Sequence, residues 1–268
     1  MDLNIIVQTD DQRDSDQVII KKLQTAERLG IETVALSVKL TPTMKNTVIP
    51  DPVYIEVPST SNMKILSRLT LCIDSNQDNL MYKVMQQPNV KEYDLLSFQP
   101  MGDKLMNQIC SGSHLCDILT FDMSCRLPVD LRRANLNLLK QRGTCFEINY
   151  SDALKGQSAR QQTLSNGQLL VDKSRGRNVI LSSGATSSLH LRSPSDVSNL
   201  GYLFDMKGNQ CKDSASKNGL LAIKHSKTRR NPNSACLVQV QENEAEPQDS
   251  RLIEMLKDKP KSKKQRVK

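Results

Sequence analysis

The chain has 268 residues, 37% hydrophobic and 25% charged, which is enough for one large domain or two small ones and excludes a wholly disordered chain. It has no run of about eighteen apolar residues, and its first residues lack the basic flank and apolar stretch of a signal peptide. We therefore expect a soluble, intracellular protein. The formal net charge of +8 suits a polyanionic partner such as nucleic acid, although a total charge does not prove one.

The charge is unevenly distributed along the chain. Residues 126–192 contain eleven basic residues against four acids, a net charge of +7, and residues 257–268 carry +6. Residues 74–124 carry −4. One half of the folded body is therefore expected to be basic. Scattered, solvated lysine and arginine side chains are the alternative.

Seven cysteines, an odd number without a C-x-x-C pair, lie mostly within apolar runs. This usage is typical of small buried side chains in a reducing compartment. A catalytic thiol would need a neighbouring base, and the chain has three histidines, His114, His190 and His225. We expect structural or surface roles for them.

Apolar patterning predicts strands alternating with helices. Strand-like runs occur at 5–7, 33–38, 65–73, 93–98, 117–121, 145–150 and 178–182. Helical patterns occur at 15–30, 76–87, 103–111 and 129–142, and a further helix begins at Ser193-Pro194. Repeated strand–helix units imply a parallel sheet.

Because this alternation continues over about 200 residues without a linker, the sequence predicts a single irregular TIM-like barrel spanning 1–234. Residues 41–61 contain four prolines and no helical period, so extended chain is expected to replace a helix there. Residues 235–268, acidic and then basic, are predicted to form a disordered tail, with a short helix at 250–257 as the one exception.

Barrel enzymes place their chemistry on the loops after the strand C-termini. A metal-dependent hydrolase would need several His and carboxylate ligands there, and none of these loops begins with a histidine. Asp122 fits a turn or capping role. Ser182, Ser183 and Gly184 form a possible phosphate nest, although a plain strand-to-helix turn fits equally well. No P-loop or dinucleotide motif occurs, so no cofactor is expected.

Four sequence blocks resemble the thirty-kilodalton protein subunit family of ribonuclease P in their content, order and spacing. They are KILSRLT at 64–70, RG at 142–143 followed by FEINYS at 146–151, NVILSSGA at 178–185, and LRSPSDVSNLG at 191–201. The resemblance covers roughly residues 1 to 230. It implies a fold similar to the polymerase and histidinol phosphatase barrels without their metal ligands.

The resemblance also implies a function. The chain is expected to be a non-catalytic RNA-binding subunit of ribonuclease P, which removes the 5′ leader of precursor tRNA, and of ribonuclease MRP, which acts in ribosomal RNA processing. In both, the catalyst is RNA. Its partners would be ribonuclease P RNA, ribonuclease MRP RNA and other protein subunits, with precursor tRNA reached through the complex and no membrane involved. The alternatives are a metal-dependent phosphoesterase of the parent barrel type and, more remotely, a barrel acting on a phosphorylated metabolite.

Because Arg160, Arg177 and Arg192 lie in or beside these blocks, 126–192 is expected to form one RNA-facing surface. The predicted RNA-binding residues combine the basic positions in or beside the blocks with the arginines of the basic half. They are Lys64, Arg68, Arg126, Arg132, Arg133, Arg142, Arg160, Arg175, Arg177 and Arg192. For two of them a structural role is the alternative to RNA binding. Arg68 would then form an ion pair inside the barrel or at a strand end, and Arg142 would complement the dipole at a helix C-terminus.

Basic residues near the C-terminus resemble a nuclear-import signal, for which a general RNA-affinity tail is the alternative. They are Lys259, Lys261, Lys263, Lys264 and Arg266. The family resemblance likewise implies residence in the nucleus and nucleolus.

Overall fold

The computed structural model of the chain describes residues 1–10, 12–43, 48–55, 63–73, 78–112 and 115–231. Its sheet has seven strands: β1 (Asp2–Gln8), β2 (Thr33–Leu40), β3 (Lys64–Ile73), β4 (Leu95–Pro100), β5 (Ile118–Thr120), β6 (Cys145–Asn149) and β7 (Val179–Ser182). Each strand predicted from the sequence is present. The predicted tail at 235–268 lies outside the described residues.

The seven strands are parallel and hydrogen-bonded in chain order from β1 to β7. The sheet curls until β1 meets the segment after β7, where Ala185 O accepts a hydrogen bond from Ile6 N at 3.0 Å and Ala185 N donates to Asn4 O at 3.2 Å. The predicted fold class, an irregular TIM-like α/β barrel, is confirmed.

Helices surround the sheet. Among the described residues they are α1 (Asp16–Arg28), α2 (Asp78–Met85), α3 (Pro88–Glu92), α4 (Asp103–Ser111), α5 (Arg133–Gln141), α6 (Gln157–Ser174), α7 (Pro194–Leu200), α8 (Gly208–Ala215) and α9 (Lys217–Arg230). No helix in this part of the chain combines the length and apolar character that crossing a membrane requires. In the described part of the connection from β2 to β3, residues 41–43 and 48–55 contain no helix, as expected.

The barrel interior changes from apolar to polar along the strands, because inward side chains recur every second residue. An apolar layer lies nearest the strand N-termini, formed by Ala35, Leu66, Leu95, Ile118, Cys145 and Ile180. Two residues further along each strand come buried polar side chains, among them Ser37, Arg68, Ser97, Thr120, Glu147 and Ser182. The open, polar end of the barrel therefore lies at the strand C-termini.

The C-terminal helix α9 closes the opposite end. Its Ala222 and Ile223 pack on the apolar layer. The fully buried Asp117 carboxylate accepts from Arg229 Nη2 at 2.9 Å and is 2.7 Å from His225 Nδ1, while Arg230 pairs with Asp94 at 2.8 Å. The helix is thus held by apolar contact at its centre and by ion pairs at its end.

A fully buried ion pair crosses the middle of the barrel. Arg68 Nη1 and Nη2 donate to Glu147 Oε1 and Oε2 at 2.6 and 2.7 Å, and both side chains have 0% exposure. The other three guanidinium N–H groups are also satisfied, by Leu3 O at 2.7 Å, Ser97 Oγ at 2.9 Å and Thr70 Oγ1 at 3.1 Å. One side chain therefore joins β1, β3, β4 and β6.

This geometry corrects one sequence prediction. A guanidinium with no exposed surface and all five donors engaged inside the barrel cannot contact an RNA backbone, so Arg68 is a structural residue, as its alternative reading proposed. Burial by itself raises the pKa of Glu147, but the adjacent Arg68 outweighs burial and holds that pKa below its ordinary value. Glu147 is therefore ionised in the fold.

We predict that Arg68→Met destabilises the protein by about 3–5 kcal/mol, because it leaves the Glu147 carboxylate buried without a counter-charge. Urea unfolding measures the loss. Arg68→Met/Glu147→Leu should cost less than either single change, since it removes both buried charges. Arg132→Gln is the control: it breaks an exposed 3.0 Å pair with Asp130 and should cost about 0–1 kcal/mol. Equal costs for Arg68→Met and Arg132→Gln would contradict the assignment.

Candidate nucleic-acid interface

A polar cavity of about 160 Å³ opens at the C-terminal end of the barrel. The side chains lining it include Lys39, Asp122, Asp152, Lys155 and His190. Cavities at this end are the usual site of chemistry in TIM barrels. The charges here comprise two lysines and two carboxylates, so the cavity offers no excess of either sign.

Protein groups already engage both carboxylates. Asp122 accepts from Ser124 Oγ at 2.6 Å, and this bonding outweighs burial and lowers its pKa. Asp152 lies 2.7 Å from Lys155 Nζ, although burial still raises its pKa. The described residues contain no group of three His, Cys, Asp or Glu side chains that could hold a metal ion. His114, one of the three histidines of the chain, lies outside them.

The possible phosphate nest forms a turn whose Ser183 groups are engaged within the fold, which favours the alternative, a plain structural turn. Both donors of Ser183 have partners within the protein. Its backbone N–H donates to Asp2 Oδ1 at 3.1 Å, and its hydroxyl donates to Asn4 O at 3.1 Å. Both Ser182 and Ser183 are buried. Gly184 adopts φ +61°, where a Cβ would crowd Asn149. The turn joins β7 to β1, and the Ser183 and Ala185 N–H groups are both engaged within the fold.

The structure gives Arg142 a capping role, as its alternative reading proposed, but on a neighbouring helix. Its Nη1 donates to two carbonyls at the C-terminus of α4, those of Ile109 at 3.2 Å and Cys110 at 2.5 Å. The half-buried guanidinium packs against Gly112, whose φ is +92°. A side chain at position 112 would place its Cβ only 3.0 Å from this guanidinium. A positive charge here complements the helix dipole.

The other predicted RNA-binding residues are exposed, but their partners differ. Arg132 pairs with Asp130, and Arg133 Nη2 pairs with Asp172, both at 3.0 Å. Arg160 and Arg192 donate to backbone carbonyls. Within the described part of the chain, the remaining side chains have no ion pair or hydrogen bond: Lys64, Arg126, Arg175 and Arg177.

These cations do not form one surface, which corrects the expectation for 126–192. Arg160 lies in the first turn of α6 and Arg175 is its C-cap residue. Fifteen residues at about 1.5 Å per residue separate them by roughly 22 Å. Since α6 follows β6 and precedes β7, Arg160 belongs to the C-terminal end of the barrel, and Arg175 and Arg177 to the N-terminal end.

Three cations converge at the N-terminal end; we call them the lower cluster, Lys140, Arg175 and Arg177. Lys140 Nζ donates to Ser174 O at 3.0 Å, which places its ammonium beside the turn that carries both arginines. Burial and the charges of Arg177 and Arg175 lower the pKa of Lys140. The nearest carboxylate in sequence, Asp172, is engaged by Arg133.

The sequence did not single out Lys140 as part of a site. Lys140 lies in a predicted helix, 35 residues before Arg175. Sequence analysis also missed the lysines of α9, whose exposed Lys217, Lys224 and Lys227 lie on the helix that closes this end of the barrel. Asn218 Nδ2 donates to Val179 O at 2.7 Å, so the start of α9 lies against the start of β7, which follows Arg177 by two residues. The run of basic residues in 217–230 was the available signal.

The fold and this surface define a class of protein. It is a TIM-like barrel that carries exposed cations at its N-terminal end and has no metal site among the described residues. The family model described as RNase P subunit p30 matches residues 1–231. The chain belongs to this ribonuclease P subunit family.

Particular relatives agree with this assignment. The chain is 34% identical over 230 residues to the probable ribonuclease P protein subunit 3 of Schizosaccharomyces pombe, covering 86% of this chain and 94% of that protein. It is 25% identical over 229 residues to the ribonuclease P/MRP protein subunit RPP1 of Saccharomyces cerevisiae, covering 82% and 76%. A chain from archaeal ribonuclease P with mature tRNA shares the fold, with a TM-score of 0.60 at 12% identity, covering 90% of this chain and all of that one.

We predict that Arg142→Ala lowers the free energy of unfolding by about 1.5–3 kcal/mol, because two carbonyls of α4 lose a charged donor. Thermal or urea unfolding measures the change. Arg126→Ala, which removes an exposed arginine without an ion pair in the described structure, should stay within about 0.5 kcal/mol of the parent. If the two substitutions have the same small effect, Arg142 does not stabilise α4.

Proposed function

We propose that this protein is a non-catalytic RNA-binding subunit of ribonuclease P, supporting removal of the 5′ leader from precursor tRNA. The observation that carries the proposal is the lower cluster, where three cations lie together without a carboxylate partner among the described residues. Like charges repel, so such a cluster is best stabilised by an anion. Membership of a ribonuclease P subunit family supports an RNA phosphate backbone as this anion.

The chemistry of the cluster suits phosphate recognition. Arginine presents a planar fork that pairs phosphate oxygens bidentately, and two of the three cations are arginines. The neighbouring lysines of α9 extend the positive potential along the same end of the barrel. Aromatic residues make up 3% of the chain and tryptophan is absent, so stacking on unpaired bases has little to support it. Contacts to phosphates and the shape of folded RNA are the expected mode.

The proposed partners are ribonuclease P RNA, ribonuclease MRP RNA and other protein subunits. The assignment to ribonuclease P rests on the family, and the extension to MRP is supported by the yeast relative named for both enzymes. A role in ribosomal RNA processing would follow from the extension to MRP. Precursor tRNA would be reached through the assembled complex. Lys64, Arg126, Arg132, Arg133, Arg160 and Arg192 remain proposed RNA contacts.

A double substitution in the lower cluster tests RNA binding. Arg175→Asn/Arg177→Gln removes two charges, and asparagine tolerates the left-handed backbone at position 175, where φ is +58°. Affinity for ribonuclease P RNA should fall, and the slope of log K against log salt should flatten by about 1.4–1.8, since each lost phosphate contact contributes about 0.7–0.9. Filter binding across a salt series measures both quantities.

The matched control is Lys83→Gln/Lys91→Gln, which removes two exposed charges from the acidic half. It should leave affinity and slope close to those of the parent. The RNA-binding assignment of the lower cluster is wrong if the control costs as much affinity as the arginine pair.

We also propose that the basic tail directs the protein to the nucleus and nucleolus. The support is the sequence Lys259-Pro260-Lys261-Ser262-Lys263-Lys264-Gln265-Arg266, which lies outside the described residues. A fluorescent fusion ending at Ser250 should lose nuclear accumulation in cells depleted of the other ribonuclease P subunits. The full-length fusion, imaged in the same cells, should retain it. Unchanged import of the truncated fusion would assign the tail to general RNA affinity instead.

A further inference from the structure

We infer that the protein carries two separate RNA-binding surfaces, one at each end of the barrel, and holds two RNA segments at once. This inference rests on the proposed function. The first surface is the lower cluster. The second consists of Arg160 and Arg192, which we call the upper arginines.

The upper arginines are both positioned by the 3-10 turn Tyr150–Leu154 that follows β6. Arg160 Nε donates to Ala153 O at 3.3 Å, and Arg192 N donates to Tyr150 Oη at 3.1 Å. Arg192 Nη1 also donates to Leu189 O and Leu191 O, both at 2.8 Å. The two residues therefore flank one short, well-bonded turn at the C-terminal end of the barrel.

Carbonyl partners hold these guanidinium groups without neutralising them. Arg192 keeps its Nε and Nη2 donors, and Arg160 keeps both Nη groups, so each retains N–H donors for an external phosphate. Both side chains are exposed, and within the described residues neither has a carboxylate within 4 Å. A donor fixed in place before binding loses less side-chain entropy when the phosphate arrives.

The carboxylates near the upper arginines are occupied by other groups. Asp152 pairs with Lys155 at 2.7 Å, Asp122 accepts from Ser124, and Asp196 accepts from Ser193 Oγ at 2.8 Å. The charge of the upper arginines is thus available to solvent. Their carbonyl contacts and lack of carboxylates distinguish them from Arg132 and Arg133, which are paired within the fold.

The distance between the two surfaces makes them independent. The roughly 22 Å between Arg160 and Arg175 along α6 exceeds the Debye length, about 8 Å at physiological ionic strength. The helix between them carries no basic residue from 161 to 172. An RNA phosphate held at one end therefore has little electrostatic influence at the other, and each surface can take its own segment.

A bridging assay tests the inference with the full chain. Two copies of a short RNA duplex are prepared, one biotinylated and one fluorescent, and fluorescence retained on streptavidin reports bridging. The parent protein and Lys83→Gln/Lys91→Gln should retain the fluorescent duplex. Arg175→Asn/Arg177→Gln and Arg160→Gln/Arg192→Gln should each still bind a single duplex but lose at least about tenfold in retained signal, which corresponds to about 1.4 kcal/mol.

The outcomes separate this inference from the proposed function. If the parent binds a duplex but never bridges, or if the upper-arginine variant bridges as well as the parent, the two-surface inference is wrong while RNA binding stands. If the parent binds no duplex and no ribonuclease P RNA, the proposed function fails as well. Thermal unfolding checks each variant, and Arg160→Glu replaces the upper double variant if that variant unfolds, with the same loss of bridging expected.

Discussion

The buried pair between Arg68 and Glu147 is the constraint around which the barrel is organised. Two charges taken out of water are stable only if their remaining donors and acceptors are satisfied, and here β1, β3 and β4 supply acceptors to a guanidinium on β3 that faces a carboxylate on β6. This fixes the register of β3, β4 and β6, since moving one of these strands by one residue would turn Arg68, Ser97 or Glu147 away from the lumen.

This polar centre determines how the two ends differ. Below it, the apolar layer needs a cover, and α9 supplies one with Ala222 and Ile223 and with ion pairs to Asp117. Above it, the interior stays polar and opens into a cavity whose lysines and carboxylates balance. In enzymes of this architecture the open end carries the chemistry. Here the unpaired cations lie on the outer surface at both ends, in the lower cluster and at the upper arginines, while the charges that line the cavity balance one another.

Arginine has three distinct roles in this fold, and its surroundings decide which applies. Arg68 is locked inside the barrel, Arg142 caps a neighbouring helix, and Arg175 and Arg177 extend from a helix end into solvent. The basic residues of such a chain therefore cannot all be taken as RNA contacts. Burial and the presence of a carbonyl or carboxylate partner separate structural cations from those available to phosphate.

The sequence by itself determined the seven strands, the helices at 16–28 and 103–111, the barrel class and the family, because strand alternation and the four sequence blocks are local patterns. It missed α6 and α9, which pack through small and polar residues such as Gly167, Asn218 and Ser226 and so lack a clear apolar period. The roles of the cations were decided by tertiary structure alone. Arg68 meets Glu147 across 79 residues, and Lys140 donates to Ser174 O, next to Arg175, across 34 residues. Only the closing of the sheet and the packing of α5 on α6 bring these groups together.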